Sequence, residues 1–400
     1  MKKATSKLTA LVFLLVAVSS IANAQTGSQI NVVTTAVPFL RISPDARAGG
    51  MGDVGIATPA DANAVYWNRG KLPFAEEPGG VSLSYTPWLK DLGLNDVYLA
   101  SAAAYYKLNE NEAISGGLRY FNLGSIQFTD ALGNSLNTFN PREFSFDAGY
   151  SRKLSPKSGL GIALRYINSN LANGVYGGQT YKAGTAVAGD LQYFHNATKE
   201  NGEGMAWGIS LTNLGSKISY TTDASQKDYI PANLGVGAAY TKVYDPNNKI
   251  TFAMDVNKLL VPTPPILSSS TGGTPTAGDT AALNKYHDQS VVSSWFSSFT
   301  DAPGGFSEEM QEIQISAGAE YWYQNQFALR AGYFYENPNK GDRQYFTAGA
   351  GLKYNTFSMI FSYLLPAGNG VTRNPLSNTL RFSIVFDIDK NSDDKAPSSE

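Results

Sequence analysis

The stretch TLRFSIVFDID, residues 379–389, repeats with a period of two. Leu380, Phe382, Ile384, Phe386 and Ile388 fall on one face of an extended chain, and Arg381, Ser383, Asp387 and Asp389 fall on the other. Successive strand side chains point to opposite faces, whereas a helix would scatter this set around its axis. The stretch therefore reads as a strand with one apolar and one polar face. The dyad recurs from residue 80 onward. In EFSFDAGYS, Phe144, Phe146, Ala148 and Tyr150 oppose Glu143, Ser145, Asp147 and Gly149; in GLGIALRY, Leu160, Ile162, Leu164 and Tyr166 oppose Gly161, Ala163 and Arg165. Apolar residues alternating with small or charged ones over about ten positions are what a wall between lipid and a wet lumen requires.

Such segments fall at 81–87, 96–107, 112–123, 142–153, 159–170, 183–194, 205–213, 233–243, 249–258, 312–323, 326–335, 343–354, 356–364 and 378–389. About fourteen is an even number, as bacterial single-chain barrels need. Every second connection is short, such as LNENE, LSPKSG, YDPNN and YQNQ. The alternate ones, 124–141, 171–182, 214–232, 259–311 and 365–377, are long. Short periplasmic turns and long external loops are the usual asymmetry of these barrels, and the parity expects both termini in the periplasm. The expected fold is all-β, a transmembrane barrel of about 14 antiparallel strands spanning 79–389, with a periplasmic tail at 390–400.

Composition agrees. The 400 residues include 23 Tyr, 20 Phe and 39 Gly, with no cysteine, so there is no disulfide or thiol chemistry. A net charge of −2 gives no electrostatic footprint for nucleic acid. The opening MKKATSKLTALVFLLVAVSSIANA has a basic start, an apolar core and Ala22-Asn23-Ala24, and reads as a signal peptide over residues 1–24. Outer-membrane lipid is the first expected partner.

Residues 25–78 show no useful alternation. Ser43-Pro44-Asp45 and Thr58-Pro59-Ala60-Asp61 each read as a helix N-cap, a proline and an early acid. Between them, GMGDVG fits the dinucleotide pattern G-x-G-x-x-G with Gly50, Gly52 and Gly55. That pattern binds a pyrophosphate only between a buried strand and a crossover helix, and PFLRISPDARAG and IATPADANA are neither. The expected structure is two short helices joined by glycine turns, plugging a lumen that inward side chains alone cannot fill. It implies no cofactor.

Two histidines, His195 and His287, have no metal-ligand spacing around them, and no catalytic set, metal or enzymatic activity is expected. The inward charges Arg119, Asp147, Arg165, Asp190, Asp255, Glu320, Arg330, Arg381 and Asp387 mix both signs, which suits a network supporting the plug better than a selective ring. Loop 259–311 opens with a Pro/Ser/Thr/Gly tract and continues SVVSSWFSSFTDAPGGF, where Val291, Val292, Trp295, Phe296 and Phe299 keep helical spacing. It is either a lid on the mouth or an apolar surface for a protein partner.

RISPDARAGGMGDVGIATPADANAVYWNRGKLPF, with Arg47, Gly50, Gly52, Gly55, Trp67 and Asn68, resembles the N-terminal hatch of FadL-type outer-membrane transporters, and more narrowly the PorV family of type IX secretion. VSLSYTPWL, LRYFNLGSIQFTD, NPREFSFDAGYSRKLS and GLGIALRYINSNL carry the resemblance further. Where the superfamily has Asn-Pro-Ala, this chain has Asn68-Arg69-Gly70. The resemblance implies a non-enzymatic outer-membrane protein that binds the C-terminal signal domain of secreted cargo at the translocon barrel. It implies a hand-off of that cargo to a surface attachment protease complex. The alternative it leaves is a FadL-like diffusion channel for hydrophobic small molecules.

Overall fold

Lipid outside and a packed plug inside impose opposite demands on alternate residues, and the chain meets both by closing its strands on themselves. The structure is a computed structural model. It describes residues 30–388, apart from 91–92, 130–131, 177–178, 222–226, 269–273, 275 and 368–378. The expected signal peptide and periplasmic tail lie outside the described residues. The chain divides into two units between Ile30 and Asn31, and the plug and barrel both belong to the second.

The strands are β1 (Gly79–Pro87), β2 (Val97–Asn109), β3 (Glu112–Leu123), β4 (Ile126–Thr129), β5 (Ser135–Phe139), β6 (Arg142–Ser155), β7 (Ser158–Asn170), β8 (Gly174–Tyr176) and β9 (Gln179–Tyr181). They continue as β10 (Gly184–Asn196), β11 (Gly204–Gly215), β12 (Asn233–Asp245), β13 (Asn248–Leu259), β14 (Gln314–Tyr323), β15 (Phe327–Tyr335), β16 (Gln344–Tyr354), β17 (Phe357–Pro366) and β18 (Leu380–Asp387). Pairs β4–β5 and β8–β9 are hairpins within long loops. The other fourteen form a closed antiparallel barrel, as the alternation predicts. Closure pairs β1 with β18, from Gly80 opposite Asp387 to Tyr85 opposite Phe382.

Strand lengths of 8 to 14 residues suit a tilted membrane crossing. Outward positions such as Phe146, Leu164, Val187, Phe252 and Leu329 are exposed for lipid, while inward Asp147, Arg165, Asp190, Thr251 and Arg330 are buried. Aromatic pairs rim both ends. Tyr85–Tyr98 and Phe144–Tyr166 lie toward the long loops, and Tyr193–Trp207 and Phe357–Phe386 toward the short turns. Such girdles hold a barrel at the two membrane interfaces.

The segment from Asn31 to Pro78 runs through the lumen. Val37, Phe39 and Leu40 pack with Leu99, Phe121 and Ile167 near the loop end. Ala62, Ala64 and Leu72 pack with Tyr105 and Ala113 near the turn end. Both plug helices start later than their sequence signals. Asp45, not Ser43, caps helix Ala46–Gly49, its carboxylate accepting from Ala48 N at 2.7 Å. The Thr58 hydroxyl donates back to Gly55 O (3.2 Å), and the second helix, Ala64–Trp67, begins beyond Asp61. At the first site the Asp45 carboxylate takes the donor a cap must satisfy, and at the second Asp61 Oδ1 accepts from Asn63 N (2.9 Å) ahead of the helix. Two 3₁₀ segments, Pro38–Arg41 and Arg69–Phe74, flank these helices.

This threading puts the two ends of the plug at opposite ends of the barrel. Gly79 and Asp387 do lie together at the turn end, with Ile388 N donating to Gly79 O at 2.9 Å. Asn31 lies at the loop end, where its side-chain amide donates to Pro264 O (3.2 Å) and Glu308 Oε1 (3.3 Å). Parity counts strands, and the plug is an extra pass through the barrel without being one.

Candidate functional site

Two places concentrate the chain's unusual chemistry: the seam between plug and wall, and the surface of the longest loop.

At the seam, the charged strand residues grip the plug. Arg69 donates to Asp147, and to Asp190 at 3.1 Å, while Arg165 reaches the same two carboxylates at 3.3 and 2.9 Å. Arg69 fits because the wall is glycine beneath it. A Cβ on Gly149 would lie 2.7 Å from its Cδ, and one on Gly161 2.7 Å from its Cβ. The departure Asn68-Arg69-Gly70 is thereby explained. Arg69 N donates to Gln192 Oε1 (2.8 Å), a bond that proline could not make. Asn68 ties the next turn, accepting from Gly70 N (3.0 Å) and donating to Tyr193 O (2.9 Å).

Lower in the lumen Arg47 forks onto Glu320 at 2.9 and 2.7 Å and also pairs with Asp61 at 2.8 Å. Arg330 holds the same Glu320 at 2.7 Å. Asp53 pairs with Arg381 and accepts from Tyr345 OH (2.6 Å), and Asp255 accepts from the backbone N–H of Gly55 (2.7 Å) and Ile56 (3.0 Å). Asp387, the most exposed of the inward charges, pairs with Lys353 at 3.0 Å.

The glycines of GMGDVG serve close approach. Gly52 has φ +72°, and a Cβ there would lie 2.6 Å from the Tyr333 backbone. A Cβ on Gly55 would enter the Trp67 ring at 2.1 Å, and one on Gly50 would press on the Gly349 backbone at 3.1 Å. The Trp67 indole N–H donates to Asp45 at 2.7 Å. The space beside every glycine of the pattern is filled by protein.

Asn213 needed more than alternation to find. The β10–β11 register slips between Gly189 and Leu191, so Thr212 and Asn213 face one residue of β10. This bulge turns Asn213 (φ 56°) inward, where its Oδ1 accepts from Arg165. A cavity of about 60 Å³ remains beside it, lined by Leu40, Ile56, Tyr66, Trp67, Arg119, Arg165, Ser210, Thr212, Asn213, Asn233 and Asn257.

Three helices build the long loop: Ala277–Asp288, Val291–Ser297 and Phe306–Gln311. Ser290 caps the second, as its position before the apolar run implies. The helical spacing splits into two faces. Val291 packs toward Val33, Tyr229 and Val261, and Trp295 is half-buried. Val292, Phe296 and Phe299 are exposed, Phe296 to 75 %. Phe306 (78 %) and Met310, one helical turn apart, are exposed too and escaped the sequence reading. Their i, i+4 spacing was legible, but a single apolar pair amid Ser and Glu is a weak signal.

The loop rests on ion pairs. Lys258 binds Glu309 (2.9 Å) and Glu312 (2.7 Å), and Lys340 binds Glu308 (2.6 Å) and Glu312 (3.0 Å). Lys217 donates to the carbonyls of His287 (2.6 Å) and Gln289 (2.7 Å), holding the C-terminal end of Ala277–Asp288. Burial pushes the Asp301 carboxyl up to about 6, against hydrogen bonds from Thr263 that favour its charged form. Stability from such a group is complete below the ordinary aspartate range and is lost as pH rises through about 6. Amide hydrogen exchange in 259–311 should accordingly speed up beyond the intrinsic base-catalysed rate over that window, and Asp301→Asn should abolish the extra acceleration. An unchanged window in the variant would place the titrating group elsewhere.

His195 Nδ1 lies 3.2 Å from Ser158 Oγ, a pair created by the β7–β10 register. The same hydroxyl contacts Tyr193 OH at 2.8 Å, and the imidazole stacks on Trp207 at 5.5 Å. No carboxylate orients the ring among the described residues, and the group belongs to the turn-end girdle. His287 lies edge-on to Tyr286 in the loop.

No curated protein sequence matches the chain. Among solved structures, the deltaS2S3 mutant of the monoaromatic hydrocarbon channel TodX is similar, with a TM-score of 0.50 and 11% identity over 86% of this chain and 98% of that one. The toluene transporter TbuX of Ralstonia pickettii gives 0.48 and 12% over 86% and 97%, and a FadL homologue of Pseudomonas aeruginosa 0.45 and 10% over 89% and 99%. At such identities the likeness concerns the fold, an outer-membrane barrel. The family described as type IX secretion system protein PorV matches residues 24–266, more than half of the chain, and the protein belongs to that family.

Proposed function

We propose that this outer-membrane component of type IX secretion acts without enzymatic chemistry, binding the C-terminal signal domain of secreted proteins at the translocon barrel. It then passes them to the surface attachment protease complex. The observation that supports this reading is the exposed ridge of Val292, Phe296, Phe299, Phe306 and Met310, carried by an ion-paired loop. Several exposed aromatic side chains on one loop suit a protein-binding surface, where such rings serve as anchors. The seam between plug and wall favours it too. A diffusion channel for hydrophobic molecules needs a pocket of about 300 Å³ or more. The seam cavity of about 60 Å³, lined by arginines and amides, suits water-sized occupants. Capturing the tagged barrel from crosslinked membranes should recover proteins bearing the signal domain. Recovery of none, together with hydrocarbon uptake by the purified barrel in vesicles, would favour the channel reading.

In this proposal residues 1–24 are removed, 25–78 form the plug, 79–389 the barrel and 390–400 a periplasmic tail, with the long loops outside. Because Asn31 lies at the loop end, the start of the plug faces outward as well. Cysteines replacing Thr34 and Leu132, both exposed, should react with an impermeant maleimide on whole cells. A cysteine at Lys157, in a short turn, should react only after the outer membrane is opened. The reverse pattern would invert the barrel.

A further inference from the structure

The plug–wall seam holds one buried arginine without a carboxylate partner among the described residues. Asp147 and Asp190 are both engaged by Arg69 and Arg165. Arg119, 5 % exposed, belongs to the same seam and has no carboxylate within 4 Å among the described residues. Its Nη1 donates to Leu40 O at 3.0 Å, and its guanidinium lies 5.0 Å from the Tyr66 ring centroid. Arg119 is thus a buried guanidinium held by a carbonyl and aromatic faces, with no carboxylate of its own, which is costly unless something compensates it.

The cavity of about 60 Å³ opens against Arg119 and is lined by polar side chains, of which Asn213 already gives its amide to Pro231 O at 3.0 Å. Arg165 lines it on one side, and Thr212, Asn213, Asn233 and Asn257 on the other. The Asn257 carbonyl is taken by the Asn233 amide at 3.0 Å, which turns the Asn257 N–H₂ to other partners. No carboxylate lines the space. A volume of this size admits about four water-sized bodies, enough for one small ion with its last waters.

We infer that this cavity is a binding site for a small monovalent anion, of halide or formate size, that neutralises Arg119 and fastens the plug to strands β3, β7 and β11–β13. The anion touches both halves of the seam, since Leu40, Tyr66 and Trp67 close the cavity from the plug. Seating of the plug is therefore linked to anion concentration, as for any ligand that binds only the assembled state.

The test uses the full mature chain in detergent, with gluconate exchanged for bromide at constant ionic strength. The melting temperature of the wild type should rise with the logarithm of bromide concentration, and formate should substitute for bromide while sulfate should not. Arg119→Gln should lose at least tenfold in bromide affinity. If that variant fails to fold, Asn257→Leu, which fills the cavity, should abolish the bromide dependence instead. Crystals grown in bromide should show an anomalous peak within hydrogen-bond distance of Arg119. Absence of that peak, a melting temperature indifferent to bromide, or an equal response in the variants would leave the cavity to water and overturn the assignment.

Discussion

Replacing Arg69 with methionine should unseat the plug and open the barrel to ions. Arg69 is fully buried and engages both Asp147 and Asp190. Its removal leaves two carboxylates sharing Arg165. Breaking a buried ion pair by deleting one partner costs about 3–5 kcal/mol, because the remaining charge stays desolvated. Methionine keeps much of the volume between Gly149 and Gly161, so the loss is electrostatic and not simply a cavity. The wild-type barrel should be almost closed in planar bilayers, whereas Arg69→Met should conduct in bursts and lose plug protection from protease. The double variant Arg69→Met, Asp190→Asn should recover part of the stability, since it leaves Arg165 paired with Asp147 and no carboxylate without a partner. Wild-type conductance equal to that of an open porin would contradict this account of the lumen.

Changing Phe296, Phe299 and Phe306 together to serine should block secretion while leaving the barrel folded. All three rings are exposed, so their loss removes no core. Each central anchor of a protein contact is worth about 1–3 kcal/mol, so even partial additivity weakens partner binding by about a hundredfold or more. Cargo should collect in the periplasm, and the variant should keep its heat-modifiable migration. Trp295→Ser serves as the contrast. That side chain is half-buried with its indole nitrogen enclosed, so its loss should loosen the loop before it affects partner choice. Normal secretion by the triple variant would make the ridge a mere lid surface.

Much of the barrel was legible because lipid and lumen enforce a strict period of two. Ends of strands such as β3 (Glu112–Leu123) could be read to the residue. The breaks in that period were not legible. The bulge that turns Asn213 inward depends on Arg165, which is distant in sequence and adjacent only after strands pair. The plug was recognisable as something compact, since glycine and proline punctuate it, but its helix starts were misplaced. Asp45 outcompeted Ser43 as the capping group, and Asp61 fixes a turn ahead of the second helix by accepting from Asn63 N. The inward charges could be named individually, yet only cross-strand pairs such as Glu320–Arg330 follow from neighbouring strands, and the partners Arg47 and Arg69 come from the plug. The crossing of the plug from one end to the other left no periodic trace, so strand parity carries no information on the side where Asn31 lies. The loop ridge was half visible: Val291 to Phe299 kept helical spacing, but only the fold decided which of them face out.

The most direct test of the central claim is the affinity of the purified wild-type barrel for an isolated C-terminal signal domain from a protein exported by the same system. It would be measured in detergent beside hydrocarbon uptake by the same barrel in vesicles. The account predicts saturable binding of the signal domain, lost at least a hundredfold in the Phe296, Phe299, Phe306 serine variant, with uptake at the level of empty vesicles. Hydrocarbon uptake without any binding of the signal domain would contradict it.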